Sequence, residues 1–142
     1  MQTILTSGTY LASTGESFLI SQDVENNQLV SGKDCKLKFY PDPRYVQATD
    51  FVQLNICQDQ QACGAITIPK RSYRPLDIFN IAYEFDVMIK AFMLNSSGNY
   101  EFALSFRDRY GKEIRKVALP SICLSNEMSY WANTWIPHGL VI

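Results

Sequence analysis

Residues 83–119, YEFDVMIKAFMLNSSGNYEFALSFRDRYGKEIRKVAL, carry the pattern that decides the fold. Apolar and polar side chains alternate along two parts of this stretch, and a period of two residues is typical of a strand with one face on a core. The apolar positions are Tyr83, Phe85, Val87, Ile89, Ala91 and Met93 in the first part and Tyr100, Phe102, Leu104 and Phe106 in the second. The end of the first part, residues 88–94, also fits a helix, because apolar side chains there interrupt the polar side of the alternation. Turn sequences at residues 96–99 and 108–111 separate these parts from each other and from residues 113–119, so residues 82–119 are predicted to form a three-stranded meander.

Shorter segments of the same kind predict further strands on both sides of this stretch. They cover residues 2–6, 17–21, 35–40, 51–57, 65–68 and, near the end, 129–136. Pro75 is predicted to open one short helical turn, since proline is tolerated at the first helical position. Amphipathic helices of the length that an α/β fold needs are not found between the strands. We therefore predict one all-β domain over residues 1–142, an antiparallel β-sandwich of jelly-roll or immunoglobulin-like type with about eight or nine strands and at most one short helix.

The composition excludes some classes of partner. The chain has 142 residues, of which 46% are hydrophobic and 19% charged, and this supports a packed core. Thirteen lysine and arginine residues stand against 14 aspartate and glutamate residues, for a formal net charge of -1. Because this balance lacks the basic surface that binding to a phosphate backbone requires, no nucleic-acid partner is expected.

No targeting or membrane segment is predicted. The beginning of the chain, MQTILTSGTYLASTGESFLI, lacks a basic start and a continuous apolar stretch, so it does not resemble a secretory signal peptide. The longest apolar region, residues 78–94, is interrupted by polar and charged side chains and is too short to span a bilayer. We expect no membrane partner, and a cytoplasmic protein or a component of a larger assembly.

The four cysteines are interpreted as free thiols packed like small apolar side chains. They are Cys35, Cys57, Cys63 and Cys123. A hairpin around residues 58–62 leaves a disulfide between Cys57 and Cys63 open as an alternative, although spacing alone does not establish its geometry. No C-x-x-C pair occurs, and the one histidine, His138, is distant in sequence, so no metal is expected.

No catalytic constellation is found. His138 is the only histidine that could act as a general base, and it lies in a predicted loop between Pro137 and Gly139. Residues 23–34 partly match a calcium-binding loop, but Gln28 stands where glycine is needed and Asp34 replaces the bidentate glutamate. Turn formation explains that segment better. We therefore predict that the protein is not an enzyme and has no cofactor.

Tyrosine, tryptophan and arginine are concentrated in predicted loops and in the late strand. These residue types are favoured in protein interfaces, and an exposed aromatic ring also stacks on a sugar ring. Ordinary loop packing is the simpler explanation of the tyrosines, which often bury the ring and leave the hydroxyl in water. The residues predicted to bind a partner or ligand are Tyr40, Arg44, Tyr45, Arg71, Tyr73, Arg74, Arg109, Tyr110, Trp131 and Trp135.

Together these patterns predict a non-catalytic interaction or assembly module, a structural subunit that binds protein neighbours or copies of itself as a homo-oligomer. The near-neutral charge is compatible with close association, since little repulsion between copies has to be overcome. The alternative is a lectin-like, carbohydrate-binding module that uses the aromatic and arginine-bearing loops on a glycan. A small enzyme whose site is assembled from distant strands is a third hypothesis.

Overall fold

A computed structural model of the chain describes residues 7–24, 28–69, 74–75 and 83–126. Its helical elements are short: α1 (Pro43–Val46) and a 3-10 turn (Ala91–Leu94). The strands are β1 (Gly8–Leu11), β2 (Ser17–Ser21), β3 (Cys35–Phe39), β4 (Phe51–Gln58), β5 (Gln61–Pro69), β6 (Arg74–Pro75), β7 (Tyr83–Ile89), β8 (Gly98–Arg107), β9 (Glu113–Ala118) and β10 (Ile122–Leu124). The predicted all-β class is confirmed. Within the described residues, no helix is long and apolar enough to cross a membrane.

The strands form two antiparallel sheets. In sheet I the order is β1-β2-β3-β7-β6, and in sheet II it is β5-β4-β8, with both β9 and β10 paired to β8. β9 pairs with residues 103–107 of β8 and β10 with residues 98–100, so the two form one interrupted edge strand. Pro120 lies at the interruption, where it has no N–H to donate to a ladder.

The apolar faces of the two sheets pack against each other and form the core. Phe106 of sheet II contacts two rings of sheet I, with ring centroids 6.1 Å from Phe39 and 6.5 Å from Phe85. The other large side chains that are fully buried include Phe18, Ile20, Leu37 and Ile89 from sheet I and Leu54, Ile56, Tyr100 and Phe102 from sheet II. This packing is that of the predicted β-sandwich.

The predicted meander over residues 82–119 is wrong in its first connection. β7 pairs with β3 in sheet I, whereas β8 pairs with β4 in sheet II, so the two strands are not neighbours. The alternation of β7 ends at Ile89, and the chain then enters the 3-10 turn, whose Leu94 is fully buried. Residues 90–97 therefore carry the chain from one sheet to the other. The hairpin between β8 and β9 is confirmed.

The predicted helical turn at Pro75 is also wrong. Pro75 belongs to β6, where it pairs with Tyr83 of β7, and residues 76–80 lie outside the described part of the chain. The short helix instead begins at Pro43, because the side chain of Asp42 caps it by accepting a hydrogen bond of 3.0 Å from the backbone N of Arg44. The strands predicted over residues 2–6 and 129–136 also fall outside the described residues.

Candidate functional site

Three connections meet at one end of the sandwich, which we call the loop end. They are the β1–β2 turn at residues 12–16, the β3–β4 segment at residues 40–50 and the β8–β9 turn at residues 108–112. The backbone N of Asp50 donates to the carbonyl of Arg107 at 2.8 Å, which ties the second connection to the base of the third. The first connection is tied to β9, since the backbone N of Ser13 donates to the carbonyl of Ala118 at 2.9 Å.

The loop end contains half of the residues that the sequence predicted for binding. Arg74 lies in β6, opposite Glu84 of β7, and its side chain is outside the described part. The residues that the structure places at the loop end are Tyr40, Arg44, Tyr45, Arg109 and Tyr110. The remaining predicted residues, Arg71, Tyr73, Trp131 and Trp135, are not among the described residues.

The ring of Tyr45 is occupied by arginine side chains of the same chain. The guanidinium carbon of Arg115 lies 4.2 Å from the ring centroid, and that of Arg44 lies 5.8 Å away. Such cation–π contacts hold the ring in place and cover its face. Tyr45 therefore packs inside the loop end. Its ring is less accessible than its predicted role in binding a partner or ligand requires.

Arg115 forms an ion pair that the sequence analysis missed. Its Nη1 lies 2.7 Å from Oε1 of Glu16, and the two side chains are only 16% and 9% exposed. Glu16 also accepts hydrogen bonds from the hydroxyl of Thr14 and from the backbone N of Asp42. The sequence carries a sign of this ion pair. Arg115 stands two residues before the buried Val117, so it lies on the core-facing side of β9, opposite Phe106 of β8. A charged residue at such a position indicates a buried partner.

Asp42 and Arg44 form a second, more exposed pair at the loop end. Arg44 Nη2 lies 2.6 Å from Asp42 Oδ2, while the Arg44 side chain is 80% exposed. Hydrogen bonds from the Arg44 side chain and backbone lower the pKa of the Asp42 carboxyl from 3.8 to about 2. Because a pair this exposed adds little to stability, its main effect is to orient the guanidinium of Arg44 at the surface.

The turn between β8 and β9 is held by a network centred on Asp108. Its Oδ1 accepts hydrogen bonds from the backbone N of Tyr110 at 2.9 Å and of Lys112 at 3.0 Å. The backbone N of Gly111 donates to the Asp108 carbonyl at 3.0 Å, and Gly111 has a φ of +83°, a conformation that glycine adopts without strain. Arg107 Nη1 donates to the Gly111 carbonyl at 2.7 Å. The conformation of the turn is therefore set before any partner binds.

Tyr110 projects from this turn and is 80% exposed. The guanidinium carbon of Arg109 lies 5.0 Å from the centroid of its ring. Tyr40 and Tyr45, the other predicted tyrosines that the structure describes, are both partly buried. Although Arg109 lies over its ring, Tyr110 is thus the most exposed aromatic side chain of the loop end within the described residues.

The four cysteines are free in the structure. Cys57 stands opposite Ala62 in the β4–β5 hairpin, and Cys63 is the extra residue of a bulge, so the two do not form the disulfide that the sequence left open. Burial raises the pKa of the Cys35 thiol to about 12, and a hydrogen bond with the backbone of Ser21 offsets only part of that effect. Cys63, in contrast, is exposed.

In the segment that partly matches a calcium loop, Asp34 contacts residues of its own chain. Asp34 Oδ1 accepts a hydrogen bond of 2.8 Å from the backbone N of Ala91, and Oδ2 lies 3.7 Å from Nζ of Lys90. Residues 25–27 and His138 lie outside the described part of the chain. Among the described residues, no group of three potential metal ligands of the His, Cys, Asp or Glu type lies together.

A cleft of about 370 Å³ opens on the outer face of sheet I, away from the loop end. Among the described residues that line it, the charged ones are Asp23, Asp34 and Lys36, and Ser21 bears a hydroxyl group.

Comparison with known proteins adds no family to this description: no family model matches the chain, and no curated protein is significantly similar to it.

Proposed function

We propose that the protein is a non-catalytic assembly module that binds a protein neighbour through its loop end, with Tyr110 at the centre of the contact. The observation that carries this proposal is an 80% exposed tyrosine on a turn that hydrogen bonds already hold in one conformation. Tyrosine and arginine are the residue types that most often dominate binding energy. A rigid turn also loses little conformational entropy when it binds.

The charges around Tyr110 indicate the chemistry of the partner. Arg109 and Lys112 are exposed on the same turn, and the 80% exposed Arg44 lies at the same end of the sandwich. The carboxylate of Asp108 is engaged by the backbone of the turn. The turn therefore fits a protein surface that offers an apolar pocket for the tyrosine ring and carboxylates at its rim.

The experiment replaces Tyr110 with a photoreactive phenylalanine analogue in cells that make the protein. Irradiation should give a discrete cross-linked product, which mass spectrometry identifies, whereas the analogue at Phe92, which is 71% exposed in the 3-10 turn at the opposite end of the sandwich, should not give that product. Binding of the purified partner to the Tyr110→Ala variant should then be weaker by tenfold or more, or about 1.4 kcal/mol. The matched variant Phe92→Ala should bind as the unmodified chain does.

Two results would contradict this proposal. One is the absence of any cross-linked product specific to position 110. The other is an identified partner whose affinity is the same for the Tyr110→Ala variant and the unmodified protein.

Carbohydrate binding is the alternative, and the open ring of Tyr110 is the observation that supports it. It is the weaker proposal because Arg115 and Arg44 already cover Tyr45, which leaves fewer rings for stacking on a sugar. A glycan array probed with and without calcium tests it. Specific binding that disappears in the Tyr110→Ala variant would favour a glycan over a protein partner.

A further inference from the structure

Within the described residues, each sheet of the sandwich ends in two edge strands, and these four edges differ in how far they are protected. Sheet I ends in β1 and β6, and sheet II ends in β5 and in the interrupted strand formed by β9 and β10. An edge strand presents backbone N–H and C=O groups that no neighbouring strand satisfies. Proteins that stay monomeric usually shorten, charge, interrupt or cover such edges.

Three of the four edges show these protective features. β1 has four residues and β6 has two, so each offers a short ladder. β9 carries three charged side chains, and Pro120 separates it from β10. Other segments also cover that edge: Ser13 hydrogen-bonds to the backbone of Ala118 in both directions, and Ser125 does the same with Leu29 and Ser31.

Among the described residues, the fourth edge, β5, shows none of these protections between its bulge at Cys63 and its last residue, Pro69. It has nine residues, QACGAITIP, without a charged side chain. Within the described part of the chain, its backbone pairs only with β4. The bulge at Cys63 interrupts only its first residues, and the register from Gly64 to Pro69 is regular.

Apolar side chains at this edge are incompletely covered. Ile66 and Met93 are partly buried and pack against the edge of the core, and Met93 lies against the backbone of Gly64. A further strand beside β5 would remove more of these side chains from water. Burial of these apolar side chains would stabilise the contact in addition to the new backbone hydrogen bonds.

We propose that a second copy of this chain supplies that strand, so that two β5 strands pair antiparallel and join two copies of sheet II into one continuous sheet. An extended segment is complementary to itself about a two-fold axis, and such a contact closes at a dimer. Because β5 has no charge, its pairing with an identical strand brings no like charges together. This surface is separate from the loop end, and the proposal extends the protein's function as an assembly module.

The test measures molar mass by light scattering over a wide range of protein concentration. The unmodified chain should reach twice its mass of 16.2 kDa. Ala65 and Thr67 are exposed on the outer face of β5, and the double variant Ala65→Lys and Thr67→Lys should remain monomeric because lysines then face each other across the two-fold axis. The matched variant Thr9→Lys, exposed on the edge strand β1, should dimerise as the unmodified chain does.

Hydrogen exchange provides the second measurement. Amides of residues 64–68 should be protected in the dimer and should lose protection on dilution. Far-ultraviolet circular dichroism and urea unfolding of the lysine variant verify that it is folded. A monomer with unprotected amides, or a dimer that the lysines leave intact, would overturn the proposal. A monomer with protected amides would also overturn it, because another segment of the same chain would then cover β5.

The loop-end proposal is tested separately from this one. The Tyr110→Ala variant should still dimerise, since Tyr110 lies on the turn between β8 and β9 and not on β5. Loss of the dimer in that variant would assign self-association to the loop end and overturn the pairing of β5. If the unmodified chain is monomeric but still gives the cross-linked product at position 110, the pairing of β5 is overturned and the loop-end proposal is supported.

Discussion

Replacement of Phe106 by alanine tests directly whether the two sheets pack face to face. Phe106 is fully buried, and its ring contacts Phe39 and Phe85 of the opposite sheet at centroid distances of 6.1 and 6.5 Å. Loss of the buried ring costs about 2–3 kcal/mol in transfer free energy. The two lost ring contacts add about 0.5–1 kcal/mol each, so the expected loss is about 4 kcal/mol, within the range of about 3–5 kcal/mol for buried phenylalanines.

Urea unfolding followed by circular dichroism measures this loss. The midpoint should fall with little change in the slope, because the surface exposed on unfolding stays nearly the same. At about 3–4 °C per kcal/mol for a chain of this size, a loss of about 4 kcal/mol should lower the melting temperature by roughly 12–16 °C. Phe92→Ala is the matched control, since Phe92 is 71% exposed in the 3-10 turn and its truncation should cost less than about 0.5 kcal/mol. Equal losses in the two variants would refute the packing of Phe106 between the sheets.

Three further predictions concern the Arg115–Glu16 ion pair, thiol reactivity and the pH dependence of stability. Arg115→Met should reduce the free energy of unfolding by about 2–4 kcal/mol, because it leaves the buried carboxylate of Glu16 without its counter-charge. Adding Glu16→Gln should recover part of this loss in a urea-unfolding double-mutant cycle, and strictly additive losses would contradict the ion pair. At pH 8, iodoacetamide should modify the exposed Cys63 and leave the buried Cys35 unmodified until the protein is denatured, as mass spectrometry would show; equal rates would refute the burial of Cys35. Since the Cys35 thiol ionises near pH 9 in the unfolded chain and near pH 12 in the folded one, its contribution to stability should be complete below pH 9 and should fall as pH rises toward 12, a decline that Cys35→Ala should reduce.

Strand positions and buried faces were predictable because they depend on local alternation. The strand predicted over residues 51–57 is β4, and its alternate apolar residues Val52, Leu54 and Ile56 are all fully buried. The bounds of β2 are those predicted, Ser17–Ser21. Side chains on alternate positions of a strand point to opposite faces wherever the strand lies, so the pattern is present before any neighbour is known.

The residue types of the candidate site were predictable from the sequence, but which of them are exposed for binding was not. Tyr45 and Tyr110 looked equivalent as loop tyrosines, yet Arg115 covers the first and the second is open to solvent. The difference comes from Arg115, which is 70 residues from Tyr45 in the sequence and reaches it only through the pairing of β9 with β8. Contacts of this kind depend on sheet order, which local patterns do not contain.

The amino-acid sequence alone is enough to predict the all-β class, the inward face of most strands and the concentration of tyrosine and arginine in turns. It is enough because periodicity and turn chemistry act within a few residues. Assembly of the sheets decides that β7 joins β3 rather than β8, that Arg115 pairs with Glu16, and that β5 is a long uncharged edge among the described residues. An alternating strand fits beside any other strand with an apolar face, so the choice among neighbours is made by the packing of the whole core.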